Sequence, residues 1–185
     1  MNYGAITQVD ADVLESILAL YKNRRLKFLE IGVWNGQTSR GIKDYCQRNN
    51  IALDYWGIDP NASADFAGKL ITGVSEEVWG QTPSDFDVVF VDGCHCIAHV
   101  ILDAIIYGAK IVPLGFMLFH DTAPKIQHVQ TNHWVHGRGY KPIHLTAVRD
   151  AFKLLRWPSP EWELWAEDYD PTSDIGGMMV FRKHV

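Results

Sequence analysis

The 185 residues are 47% hydrophobic and 21% charged, a composition that excludes disorder as the overall state and fits one globular domain spanning 1–185. Lys and Arg number 17 against 22 Asp and Glu, a formal net charge of −5, which argues against a broad electrostatic grip on nucleic acid or an anionic membrane. Cys46, Cys94 and Cys96 are too few and too irregularly spaced for a disulfide framework. Cys94 and Cys96 read as small buried thiols, because a C-x-C pair without a second pair is weak evidence for a metal. The N-terminal stretch MNYGAITQVDADVLES lacks the basic flank and apolar run of a signal peptide. The most apolar region, 97–119, is broken by Asp103, Lys110, Pro113 and two glycines, so no membrane span is read. The expectation is a soluble, cytoplasmic protein.

In chain order, Val13, Leu14, Ile17, Leu18 and Tyr21 recur at helical spacing within residues 1–26, with Asp10 or Asp12 as the expected cap. Lys27 to Gly32 is a short apolar run ending in glycine and reads as a buried strand, followed by a helix from Gly36 to about Asn49. Further strands are predicted at Leu53–Asp59, Leu70–Thr72, Phe86–Val91 and Gly115–Phe119, with a long helix at about Ile97–Lys110. Fully apolar strands alternating with helices need cover on both faces, which predicts a parallel α/β sheet. The last third changes character. A helix is expected over Thr146–Leu155, then two strands, Trp162–Tyr169 and Gly177–Arg182, too closely linked to be parallel. Residues 122–144 are the longest stretch without clear periodicity.

In an open parallel sheet, ligands bind outside the carboxyl ends of the strands. Here those ends carry Glu30 and Gly32, then Asp59, then Asp92, then His120 with Asp121. The loop Gly32-Val-Trp34-Asn35-Gly36-Gln-Thr38 brings backbone close to a ligand and opens a helix whose N–H groups attract negative charge. It is not G-x-G-x-x-G, so the dinucleotide fingerprint fails literally. Asp59, at the end of the next strand, is placed to accept from ribose hydroxyls, and the two elements together describe an adenosine-containing ligand.

These residues resemble the class I S-adenosylmethionine-dependent methyltransferases. Phe28-Leu-Glu-Ile-Gly-Val-Trp-Asn-Gly36 is similar to their first motif and Trp56-Gly-Ile-Asp59-Pro60 to their second. Phe86-Asp-Val-Val-Phe-Val-Asp-Gly93 with His95, and Gly115-Phe-Met-Leu-Phe-His-Asp121, resemble a subset of small metal-assisted O-methyltransferases and cephalosporin hydroxylase-like proteins. The resemblance runs from about Lys27 to Thr122 and resumes in the terminal strand pair. It implies a Rossmann-like seven-stranded sheet of order 3-2-1-4-5-7-6, mostly parallel, with an antiparallel C-terminal strand and helices on both faces. It further implies a cofactor site made of Glu30, Gly32, Trp34, Asn35, Gly36, Thr38, Asp59, Pro60, Ser75 and Asp92, with Trp34 covering the cofactor and Ser75 passing the adenine. The region between Asp59 and Phe86 is short for the family, which leaves the adenine pocket partly open or differently built.

Asp92, His120 and Asp121 match the family positions that hold a divalent metal such as Mg²⁺, which would bind and acidify an acceptor hydroxyl. Many relatives carry an acid where His120 stands, and imidazole suits Mg²⁺ poorly, so a metal-free general base is the other reading of His120. His95 is a second candidate base, and for both histidines a structural hydrogen bond is the plain alternative. Catalytic candidates are therefore Asp92, His95, His120 and Asp121. Asp103 reads as a solvated or capping acid on its helix. His133-x-x-His136 lacks a Cys or Glu to complete a zinc set, and Trp134 and Tyr140 suit either a substrate-facing lid or an ordinary loop. Trp157, Trp162 and Trp165 are expected to pack the far edge of the sheet. The leading expectation is O-methylation of a small hydroxylated metabolite or sugar, with a homo-oligomer compatible. A hydroxylase or oxidoreductase on the same fold, and a non-catalytic nucleoside-binding protein, remain open at this point. Acceptor choice would fall to residues 1–26, to 122–144, or to a partner subunit.

Overall fold

The computed structural model describes residues 3, 6–61, 66, 68–123, 128–130, 144–146, 148–171 and 176–184, with 128–130 and 144–146 described by their backbone alone. Helix α1 (Gln8–Ala19) begins before either expected cap, Asp10 or Asp12. Thr7 is the N-cap, its hydroxyl accepts from the Asp10 amide, and Asp10 answers with its carboxylate on the Thr7 amide. That reciprocal pair satisfies donors a helix start would leave open, and T-x-x-D does here what S/T-x-x-E usually does. The elements that follow are β1 (Arg25–Ile31), α2 (Gln37–Arg48), β2 (Ala52–Asp59), β3 (Lys69–Thr72), a one-turn α3 (Ser75–Val78), β4 (Phe86–Val91), α4 (Ile97–Gly108) and β5 (Ile111–His120). A short ribbon, β6 (His128–Gln130) with β7 (His144–Thr146), then α5 (Val148–Leu155), β8 (Trp162–Asp168) and β9 (Met178–Lys183) complete the chain.

Seven strands form one sheet in the order β3-β2-β1-β4-β5-β9-β8, the order the resemblance implied. β1 pairs in parallel with both β2 and β4, and β9 runs antiparallel to β5 and β8. Alternation splits each strand between two cores. Leu26, Phe28, Val88, Phe90 and Leu118 face α1 and α2, whereas Leu29, Ile31, Val89, Val91 and Phe119 face α4 and α5. Because His120 continues the even-numbered side of β5, its ring points toward α1 rather than α4.

Three sequence readings change. Thr146 belongs to β7, and helix α5 starts at Val148; the region without periodicity contains the β6–β7 pairing, too short to leave a pattern. β5 begins at Ile111 instead of Gly115, with the register shifting between Phe86 and Val88 and Leu114 at φ 65°. Of the aromatic set, Trp157 stacks on Trp162 with ring centroids 5.0 Å apart, within the α4–α5 core, while Trp165 is exposed beneath Arg182. The lid candidates His133, Trp134, His136 and Tyr140 lie outside the described residues. Among the described residues, no helix is long and apolar enough to cross a membrane.

Candidate active site

The carboxyl ends of β1, β2, β4 and β5 open on a cavity of about 620 Å³, lined among others by Gly32, Trp34, Asn35, Thr38, Asp59, Pro60, Ser75, Asp92, His95, His120 and Asp121. Its floor depends on Gly32. That residue sits at φ 92°, and a Cβ there would lie 2.2 Å from the Asp92 carbonyl oxygen, so only glycine lets the ends of β1 and β4 approach this closely. The Gly32 amide donates to the Ile58 carbonyl and the Asp92 amide to the Ile31 carbonyl, at 2.9 and 2.8 Å. Three strand ends are thereby locked together beneath the cavity. Gly36, at φ 70°, is the N-cap of α2 and does not itself line the space.

Asp59 has a structural task that its position in the sequence does not reveal. Oδ2 accepts from the Val33 and Trp34 amides at 2.9 and 2.8 Å, and Oδ1 accepts from the Asn61 amide at 2.7 Å. The carboxylate therefore ties the β2 end to the loop after β1, with one lone pair of Oδ1 left for a ligand hydroxyl. Trp34, at φ 46° and 67% exposed, stands at the rim. Glu30 lies apart from the cavity: its carboxyl is fully buried on the α1–α2 side and accepts from the Tyr55 hydroxyl at 2.7 Å. Burial pushes that carboxyl well above the usual range, with the charges of Asp92 and Asp59 adding to the effect and the Tyr55 bond opposing it.

One end of the cavity is a cluster of acids and imidazoles. His95 Nδ1 lies 3.2 Å from Asp121 Oδ2, while its Nε2 is 3.6 Å from Asp92 Oδ1 and has no hydrogen-bond partner. Burial alone would lower the His95 pKa, but Asp92 and Asp121 outweigh it and raise it. His120 is buried, with Nδ1 3.0 Å from Asp92 Oδ1 and Nε2 3.2 Å from Asp10 Oδ2. Despite burial, those carboxylates hold the His120 pKa well above its ordinary value, and the two histidines in turn hold Asp92 at about 2 against its own burial. Asp121 Oδ1 accepts from the Gly176 amide at 3.1 Å.

The metal set expected from Asp92, His120 and Asp121 does not fit this arrangement. Both nitrogens of His120 face carboxylates, which leaves no lone pair for an ion. Donor atoms of Asp92, His95 and Asp121 do lie within 4.8 Å of one another. Asp92 and Asp121 keep carboxylate lone pairs beyond the bonds from His120 and Gly176, but the trio is completed by the imidazole of His95, and a hard cation prefers oxygen ligands.

The other end of the cavity holds the residue the sequence reading misjudged. Asp103 is not solvated: it is 2% exposed, projects from α4 into the cavity lining, and its Oδ1 has no hydrogen-bond partner. Burial pushes its carboxyl up to about 7, with the Glu76 charge adding and Ser75 opposing. The hint was available in the helical register: Asp103 lies between Val100 and Ala104 on the buried stripe. His99 and Cys94 also line this end, with His99 Nδ1 2.8 Å from Cys94 Sγ. Cys96 is buried, and none of the three cysteines is in a disulfide. Burial raises the Cys94 and Cys96 thiols, although Cys94, read from the sequence as a buried thiol, is only half-buried.

The sequence profile of a methyltransferase domain family matches residues 29–122, half of the chain. The chain belongs to the methyltransferase domain family. The matched span of this methyltransferase domain runs from β1 to the residue after Asp121 and so contains all four strand ends that form the cavity. No curated protein sequence matches the chain. Among solved structures, it is similar to an O-methyltransferase from Bacillus cereus in complex with SAH, at TM-score 0.63 and 14% identity, covering 96% of this chain and 82% of that one. It is similar also to the O-methyltransferase TomG from Streptomyces achromogenes, involved in tomaymycin synthesis and in complex with SAM (TM-score 0.60, 15% identity, 94% and 78% covered). A third is the MycE methyltransferase of the mycinamycin biosynthetic pathway, in complex with Mg and SAH (TM-score 0.59, 18% identity, 94% of this chain covered). The chain spans about half the length of MycE, 48%.

Proposed function

We propose that this protein is an S-adenosylmethionine-dependent methyltransferase acting on a hydroxyl oxygen of a small molecule. The observation that carries the reading is His95, whose one ring nitrogen is oriented by Asp121 while the other has no hydrogen-bond partner beside a cavity of about 620 Å³. Cavities of that size hold a nucleoside-sized ligand with an acceptor beside it. The similar structures are complexes with SAM or SAH, which supports the cofactor half of the reading.

The residues present fit such a cofactor. The Gly32 floor admits a close backbone approach, Asp59 keeps one lone pair on Oδ1 beyond its three amide bonds, and the orphaned oxygen of Asp103 lies in the wall on the Ser75 side. Gly32, Trp34, Asn35 and Thr38 would hold one end of the cofactor and Asp59, Pro60 and Ser75 the other. When bound, the cofactor supplies a methyl group already activated on a sulfonium. What remains for the protein is to align the acceptor and to remove its proton. In its neutral form the ring of His95 is held by Asp121 through Nδ1, and Nε2, the nitrogen with no hydrogen-bond partner, would take the acceptor's proton as the oxygen is methylated. The rim around His95 is too acidic for an anionic acceptor, which favours a neutral hydroxylated metabolite or sugar.

Calorimetric titration with S-adenosylhomocysteine tests the first half: binding at one site per chain is expected, and no heat of binding would overturn the proposal. His95→Gln tests the second. It should bind S-adenosylhomocysteine as the parent does and lose about 10²- to 10⁴-fold in transfer rate to a hydroxylated acceptor, the usual contribution of a positioned base.

A further inference from the structure

Asp10 lies in the first turn of α1, outside residues 29–122 that match the methyltransferase domain family, yet its carboxylate reaches His120, which lines the acceptor end of the cavity. Its protonation state can be read from its neighbours. Oδ2 accepts from the Thr7 amide at 3.0 Å and the Thr7 hydroxyl at 2.7 Å, and Oδ1 accepts from the Gly177 amide at 2.9 Å. Every one of those bonds needs an acceptor, so Asp10 is ionised although it is fully buried.

His120 sits between this carboxylate and a second one. Nε2 is 3.2 Å from Asp10 Oδ2, and Nδ1 is 3.0 Å from Asp92 Oδ1 and 3.6 Å from Asp121 Oδ1. A neutral imidazole has one N–H and one lone pair, and in this setting the lone pair would be aimed at a carboxylate oxygen about 3 Å away. Both nitrogens therefore donate, and the ring carries a full positive charge. The groups facing it come from every element around it: Asp10 from α1, Asp92 from the end of β4, Asp121 from the end of β5, and His95 from the loop before α4.

Asp92 and Asp121 at one end of the cavity, with Asp10 behind His120, would repel the oxygen of an acceptor as it gives up its proton. A divalent ion is one remedy, and the similar MycE complex contains Mg. Here the donor set does not fit such an ion, and a cation is already present. We infer that His120 is a fixed imidazolium, clamped between Asp10 and Asp92, which compensates the charge of the acceptor end from within the chain in place of a divalent metal. His120 acts through Asp92 rather than by touching the acceptor, which makes it a positioning residue, and Asp10 makes the N-terminal helix part of the site. The role assigned to the acceptor end rests on the methyltransferase reading; the clamp itself does not.

The full chain labelled with ¹⁵N-histidine reads the clamp directly. Long-range ¹H–¹⁵N correlation should show both His120 nitrogens protonated at neutral pH and still so at pH 8, and a single neutral tautomer there overturns the inference. Asp10→Asn should convert His120 to a one-proton tautomer at pH 8 while Asp92 still holds Nδ1; an unchanged spectrum overturns the role of Asp10. After dialysis against EDTA, adding MgCl₂ or MnCl₂ should leave the Tm and the S-adenosylhomocysteine affinity of the parent unchanged, and a Tm rise that saturates at one ion per chain overturns metal replacement. His120→Glu places a fourth acid in the cluster and should acquire a Tm that rises with MnCl₂; a folded variant indifferent to MnCl₂ overturns charge compensation. None of these readouts needs turnover. Failure to bind S-adenosylhomocysteine would remove the proposed function and leave these four results to be read on their own.

Discussion

Asp59→Ala separates two roles that one carboxylate plays. Three backbone amides, those of Val33, Trp34 and Asn61, donate to its oxygens, and only the Val33 bond is fully buried. Losing a charged acceptor from the buried amide costs about 2–3 kcal/mol, and the two part-buried amides, which water can reach, cost about 1 kcal/mol each. The sum, about 4–5 kcal/mol, corresponds to a Tm lower by roughly 10–15 °C for a chain of this size. Differential scanning calorimetry of the ligand-free protein measures it, and amide exchange at residues 32–36 should accelerate in parallel. Asp59→Asn keeps one oxygen but loses the charge, and should fall about midway. A ligand-free Tm within a degree or two of the parent, with S-adenosylhomocysteine affinity lost, would refute the reasoning: the carboxylate would then serve the ligand alone and the loop would hold itself.

Two further predictions concern the cavity walls. Asp103 has a folded pKa of about 7 against an ordinary 3.8, so between those values the folded chain keeps a proton that the unfolded chain has released. Stability must then fall as pH rises from about 4 to about 7, by up to about 4 kcal/mol, and Asp103→Asn should abolish that fall. Urea unfolding at pH 5 and pH 8 checks it: the variant should gain on the parent at the higher pH, and an equal difference at both would refute it. Gly32→Ala forces a Cβ to 2.2 Å from the Asp92 carbonyl oxygen at a φ of 92°, so the ends of β1 and β4 must separate. It should lower stability by at least about 2 kcal/mol and weaken S-adenosylhomocysteine binding more than tenfold by calorimetry; parental affinity would mean the cavity floor is not where the ligand rests.

The strands and the rim were legible because they rest on local signals, whereas the strand order was implied by the resemblance to the methyltransferases. Apolar runs that end in Gly32, Asp59, Asp92 and His120–Asp121 mark both the strands and the rim on which their ends converge. What was not legible depends on contacts between distant parts of the chain. Nothing near Asp10 announces His120, 110 residues away, so His120 could be read as a metal ligand until its second nitrogen was found facing α1. Asp59 looked free for a ribose because side-chain bonds to a loop amide leave no trace in spacing. Asp103 was misread for another reason: its helical register was available, but an acid on a helix is so often solvated that the buried stripe was overruled.

The bond from the Gly177 amide to Asp10 joins residues 167 positions apart. During synthesis, β1 through β5 and the Gly32 floor can form while β8 and β9 are still being translated, but Asp10 lacks one of its donors until β9 is laid against β5. The surroundings of Asp10 and His120 are therefore complete only after β9 has formed. A nascent chain stalled before residue 177 would hold a formed pocket around an unfinished charge cluster.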